Sequence, residues 1–207
     1  MIDPDQLPST RTVLLDLRRE LDQAVQGHAI LEQKRETLLR ELWGLLSEVK
    51  HTEGEVRQRF ASAFKVQREA RIIMGMDAMR FAALAPAANT DYSVETRSVM
   101  GVSLPLVKMR VRPLPFPYSP AGISGIFDEL RTKWVEVGQI LGSWTEITGS
   151  VWRVARELDR TQRRVRVLEN LLIPKYQAAI RRIQAVLEEQ ERDSFMRTKR
   201  VKERRER

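Results

Sequence analysis

Residues able to do chemistry are sparse in this chain, and none stands in a spacing that completes a site. The only histidines are His28 and His51, and neither has a second ligand at metal spacing. There is no cysteine, which excludes thiolate nucleophiles, thiolate metal sites and disulfides. No Gly-x4-Gly-Lys-Ser/Thr loop and no Gly-x-Gly-x-x-Gly turn is present to cradle a phosphate. Glu188, Glu189 and Glu191 lie among arginines at helical spacing, which reads as solvated ion pairing and not as acid–base work. Gly138 and Gly142 make a Gly-x3-Gly step, but Glu136 and Glu146 beside it argue against helix dimerisation in a membrane. No catalytic, cofactor-binding or metal residue is assigned, and the expectation is a non-enzymatic chain without a cofactor.

Positive charge is the remaining chemical feature. Arg160, Arg163, Arg164, Arg166, Arg181 and Arg182 precede a tail of Arg197, Lys199, Arg200, Lys202, Arg204, Arg205 and Arg207. Two readings stand: a solvated helical face, or a cationic surface that meets something acidic. Lys and Arg number 36 against 28 Asp and Glu, a net charge of +8. That excess allows nucleic acid, an anionic membrane or an acidic protein as partner without choosing among them.

The elements that position these residues are legible from apolar spacing. One stripe runs through Leu14, Leu17, Leu21, Ala24, His28, Leu31, Arg35, Leu38, Leu42, Leu45 and Val49, and Phe60, Ala63 and Phe64 extend it. A second runs through Leu130, Val137, Ile140, Trp144, Ile147, Val151, Val154, Leu158, Thr161, Val165, Leu168 and Leu172, resuming at Ala179, Ile183, Val186 and Gln190. Steps of three and four bury a narrow stripe against a partner helix. A helix of about 60 residues is roughly 90 Å long, so the first must lean on another helix or chain. Trp134, Trp144 and Trp152 fall on or beside the second stripe and are expected in the core. His28, Arg35, Thr161 and Lys175 are polar seam positions that fix register at some cost in stability.

Ser9 or Thr10 is placed to cap the first helix. Residues 75–125 hold six of the nine prolines, which exclude a continuous helix there. Val94–Met100 and Leu106–Val111 flank Gly101 and Pro105 and are expected to form a short hairpin, with Pro105 at its turn or edge. Pro113–Pro120 reads as extended, and Ser119 or Ser124 as the cap of the second helix. Pro174 lies within strong periodicity and is expected to bend that helix without breaking it. The resulting fold class is mainly α: a long antiparallel two-helix coiled coil with a hairpin in the middle segment. Its parts are residues 9–74, 75–125 and 126–207. No segment reaches the length of apolar residues that spans a membrane, and the N-terminus, with Asp3, Pro4 and Asp5, lacks a signal-peptide pattern.

The last third carries a resemblance. Residues 161–200 read TQRRVRVLENLLIPKYQAAIRRIQAVLEEQERDSFMRTKR. This closely resembles the C-terminal helix of the D subunit of the vacuolar/archaeal-type rotary ATPases, through Arg163, Arg164, Val165, Leu168, Glu169, Ile173, Pro174, Ile180, Ile183, Leu187, Glu188, Glu191, Arg192, Phe195 and Lys199. Ser9, Thr10, Arg11, Leu14 and Leu15, then Ile30, Leu31, Glu32, Lys34, Arg35, Glu36 and Leu38, are similar to its N-terminal arm. Gly101 to Pro105 is similar to a Gly-Val-x-Val-Pro stretch in its middle. Arg166 and Lys175 depart from the family pattern.

The resemblance implies a central rotor shaft with no catalytic residues, passing torque between a catalytic hexamer of A and B subunits and a membrane ring that moves protons or sodium. It implies the F subunit and the socket-forming C subunit (d in eukaryotes) as further partners. The F subunit is expected near residues 50–75 and 125–150, and the basic end inside the hexamer. It places the chain at the cytoplasmic face, as a peripheral part of a membrane complex. Two other readings of the residues are a free-standing coiled-coil scaffold and a basic helical nucleic-acid binder.

Overall fold

The structure, a computed structural model, describes residues 8–84, 88–113 and 124–205. Its elements in chain order are helix α1 (Arg11–Ala83), strands β1 (Ala88–Val99) and β2 (Val102–Pro113), helix α2 (Ile126–Val167), a π-helical turn (Leu168–Leu172) and helix α3 (Ile173–Arg205). Helix, hairpin and helix follow in the order the apolar stripes and prolines indicate. The expected extended stretch Pro113–Pro120 falls almost wholly outside the described residues, as do Ser119, Pro86 and Arg207. Contacts divide the chain into two compact units, residues 1–36 with 159–207, and residues 37–158.

In the first unit the start of α1 pairs with α3. Thr10 caps α1, its Oγ1 accepting from the Val13 N–H at 3.3 Å. Leu17 then packs with Ala179, Ile180 and Ile183, and Val13, Leu14, Leu21, Tyr176 and Leu187 close around them. Arg11 pairs with Glu191 beyond that cluster. Rising numbers on one helix meet falling numbers on the other, so the pair is antiparallel. Each buried leucine or isoleucine contributes about 1.5–3 kcal/mol by leaving water. The exposed Arg11–Glu191 pair adds little beside that. Tyr176 hydrogen-bonds Glu20 on the opposing helix. Burial, then that carboxylate, pushes the phenol above its ordinary pKa of 10.0.

Pro174 has no N–H to give to the carbonyl four residues back, and its ring crowds that turn. The chain answers in the residues before it. Leu168–Leu172 form a π turn, and the Ile173 N–H reaches back to the Leu168 carbonyl. Val167 and Ile173 both keep right-handed helical dihedrals. The helix therefore passes Pro174 without a break. The extra residue in the turn keeps Leu168, Leu172 and Tyr176 half-buried, in line with the buried Val165 and Ala179.

In the second unit α1 pairs with α2, again antiparallel. Leu38 and Leu45 share a core with Val154, Val102 and Leu104. Farther along, Val66 and Ala70 share one with Phe127 and Leu130. The first stripe holds from Leu14 to Val49, where none of its positions is exposed. Gly75, at φ 79 and ψ 167, is the one non-helical residue inside α1. That left-handed φ costs glycine nothing. Beyond the kink, Ala82 is buried in the same cluster as Val66, Ala70, Phe127 and Leu130, and Met79 packs against that cluster.

The hairpin is longer than the sequence indicates, twelve residues per strand. Its register is unbroken from Ala88↔Pro113 to Val99↔Val102. A two-residue turn joins the strands at Met100 (φ 49) and Gly101 (φ 78), the positive dihedrals that match strand twist.

Candidate functional site

The most specific local arrangement is the seat of the hairpin on α2. Gly142 brings the helix so close that a Cβ there would stand 2.8 Å from the Met109 Cβ. At Gly138 a Cβ would meet Val111 at 3.3 Å, and at Gly149 it would meet Pro105 at 3.4 Å. Read from sequence alone, these glycines only weaken a helix. In the structure they form a groove for β2. Polar ties hold the strand there: the Val107 N–H donates to Glu146 Oε2 at 2.7 Å, and Arg153 donates to the Ser103 carbonyl at 2.8 Å. On the other side, Arg97 pairs with Glu41 of α1 at 2.9 Å, and Val99, Val102 and Leu104 join the Leu38 core. The hairpin thus fastens to both helices of its unit. The sequence signal that could have located it is the spacing of Gly138, Gly142 and Gly149 with Glu146 between them.

The other chemically able residues scatter. His51 is exposed and 3.6 Å from Glu55 on its own helix. His28 is half-buried on the seam, with Nε2 buried and no hydrogen-bond partner. Arg35 pairs with Glu32 at 2.9 Å, Thr161 is buried, and Lys175 is half-buried. Glu188, Glu189 and Glu191 are exposed or nearly so along α3. Glu188 faces Arg192 at 3.9 Å. Arg197, Lys199, Arg200 and Lys202 are exposed as well, while the side chains of Arg204 and Arg205 lie outside the described residues. Among the described residues no group of three or more His, Asp or Glu could hold a metal. Nor is any described helix long and apolar enough to cross a membrane.

The tryptophans need correction. Trp152 is 69% exposed, not in the core. The seam passes through Val151 and Val154, and a residue directly after a seam position points about 100° away from it. Trp43, directly after Leu42, is 70% exposed for the same reason. Trp144 is half-buried. Trp134 sits between these cases, edge-on to both Phe60 and Phe64 with centroids 6.0 and 5.6 Å away. Phe64 extends the stripe only in spacing, since it too is exposed. A second apolar surface surrounds the Gly75 kink: Ile72 (78% exposed), Ile73, Met76, Phe81 (75%) and Leu84. Apolar groups left in water at this density make a candidate interaction surface.

A family model for the D subunit of ATP synthase matches residues 13–203. The chain belongs to that family. It is 34% identical to the D subunit of the A-type ATP synthase of Methanosphaera stadtmanae over 201 residues, 96% of this chain and 94% of that one. It is 33% identical to the A-type D subunit of Thermococcus gammatolerans over 196 residues, 93% of this chain and 92% of that one. The D subunit of the V-type ATP synthase of Thermotoga neapolitana is 31% identical over 194 residues, 94% of this chain and 96% of that one. The match takes in the hairpin, α2 and all but the outermost two residues of α1 and of α3.

Proposed function

We propose that this D subunit is the central-stalk rotor of an A/V-type ATP synthase or ATPase, a non-catalytic part that passes torque between the A/B hexamer and the membrane ring. The observation that carries the proposal is the match over nearly the whole chain to proteins named as D subunits of such complexes. Residue chemistry supports it. The described residues offer surfaces and seams, and the phosphate-binding loops that handle ATP are absent from the sequence. An antiparallel apolar seam resists twisting, because sliding one helix past the other exposes both stripes.

The exposed surfaces suit the expected partners. The apolar residues around Gly75 suit the C/d socket, and the Phe60–Phe64–Trp134 cluster suits the F subunit. The basic residues from Arg197 to Lys202 suit acidic surfaces inside the hexamer. With ion translocation left to the membrane ring, the protein belongs to a peripheral assembly at the cytoplasmic face. Tagged full-length chain is expected to co-purify with A and B subunits and an F-like subunit from the cell that makes it. Recovery as a homodimer free of them favours the scaffold reading. Duplex DNA affinity that falls steeply with salt favours the nucleic-acid reading.

A further inference from the structure

The two edges of the hairpin are treated differently. In an antiparallel ladder, alternate pairs point their N–H and C=O groups outward. A two-residue turn makes Val99↔Val102 a hydrogen-bonded pair, so every second pair counted from it faces out. On β2 the outward residues are therefore Ser103, Pro105, Val107, Met109, Val111 and Pro113. Side-chain contacts agree with this assignment. The Ser103 carbonyl accepts from Arg153, and the Val107 N–H donates to Glu146. Pro105 and Pro113 have no N–H to point anywhere. The β2 edge is thus closed by two prolines, two side-chain bonds and the body of α2.

The outward residues of β1 are Thr90, Tyr92, Val94, Thr96 and Ser98, with Ala88 at the end. They have no such protection. All residues from Asn89 to Ser98 are exposed, Tyr92 by 75%. The register has no bulge, and β1 contains no proline. Charged side chains usually guard such an edge. Here the charges sit on the other residue set and are engaged inward: Glu95 with Lys108 at 2.7 Å, Asp91 with Arg112 at 3.5 Å, and Arg97 with Glu41.

We infer that the β1 edge receives an extended strand from a partner protein, in which β-branched or apolar residues alternate with Lys or Arg. The backbone groups of Thr90 to Ser98 supply the hydrogen bonds. Charge decides the chemistry of the added strand. The charged residues of β1 on the face beside it, about 4.8 Å away, are Asp91, Glu95 and Arg97; Arg97 is already paired with Glu41, and the basic row of Lys108, Arg110 and Arg112 lies a second strand spacing off. Basic side chains can share the two carboxylates, and acidic ones meet repulsion. The opposite face offers Tyr92 and Val94 for apolar contact.

Amide hydrogen exchange on the full-length chain, free and within the complex it co-purifies with, tests the inference. In the free chain the amides of Tyr92, Val94 and Thr96 exchange fast while those of Asp91, Ser93 and Glu95 are protected. In the complex the first set slows at least about tenfold, a change of 1.4 kcal/mol in opening free energy. Val94→Pro removes only an outward N–H. It therefore keeps the protection of Ser93 and Glu95 but abolishes the slowing of Tyr92 and Thr96. Asp91→Asn with Glu95→Gln reduces that slowing. Slow exchange of the outward set in the free chain overturns the inference, as does an assembled complex in which that set stays fast. A slowing that depends only on the chain's own concentration assigns the edge to a second copy and overturns it too. A chain that assembles but keeps a fast edge leaves the rotor reading intact; one that finds no partner defeats both.

Discussion

At the residue scale, polar groups on the seam act as register marks set among leucines. Thr161 is buried, His28 leaves Nε2 without a partner, and Tyr176 reaches across to Glu20. Such groups cost stability that purely apolar residues would not, and they favour one alignment over its neighbours. Tyr176 gives this a measurable sign. Its pKa is raised in the folded chain, so its stabilising contribution is full below pH 10 and is lost as pH rises through the folded value. Thermal unfolding of the full chain is therefore expected to fall in temperature as pH rises above 10. Tyr176→Phe should flatten that fall, and an equal fall in the variant shows that Tyr176 is not its source. The tryptophans teach the converse. A large apolar residue one step off a seam is exposed however apolar it is, and Trp43 and Trp152 are better read by position than by type.

At the element scale, most of the fold was legible because helical heptads and clustered prolines are strong local signals. The stripe from Leu14 to Val49 is unexposed at every position. What was less legible depends on tertiary contact. The π turn before Pro174 involves Leu168 to Leu172, whose composition is that of any helix. The full length of the hairpin depends on α2, since the partners of its outer groups, Glu146 and Arg153, are distant in sequence. Gly142 shows how strongly that docking is built. Gly142→Leu drives a side chain into Met109 and is expected to destabilise the hairpin seat by about 1–3 kcal/mol, despite the better helix propensity of leucine. Gly54→Leu is the control, because a Cβ at Gly54 meets nothing within 4 Å. Limited proteolysis should cleave residues 88–113 faster in the first variant and not in the second. Equal rates contradict the seat.

At the scale of the whole molecule, the chain devotes its residues to seams, one fastened hairpin and exposed apolar and basic surfaces. The proposed rotor role would give those features a shared purpose, since a rotor must be stiff in itself and must meet different partners along its length. The candidate interaction surfaces were only partly legible from sequence. Ile72, Ile73 and Phe81 are apolar and exposed on either side of the Gly75 kink, and no stripe in the sequence includes them. The central claim is mechanical, so it is tested most directly by watching the chain move. A bead attached through a cysteine introduced at an exposed position of this cysteine-free chain, in a complex whose A/B hexamer is fixed to a surface, should turn in one direction when ATP is supplied. A bead that stays still while the same complexes hydrolyse ATP would contradict the rotor account.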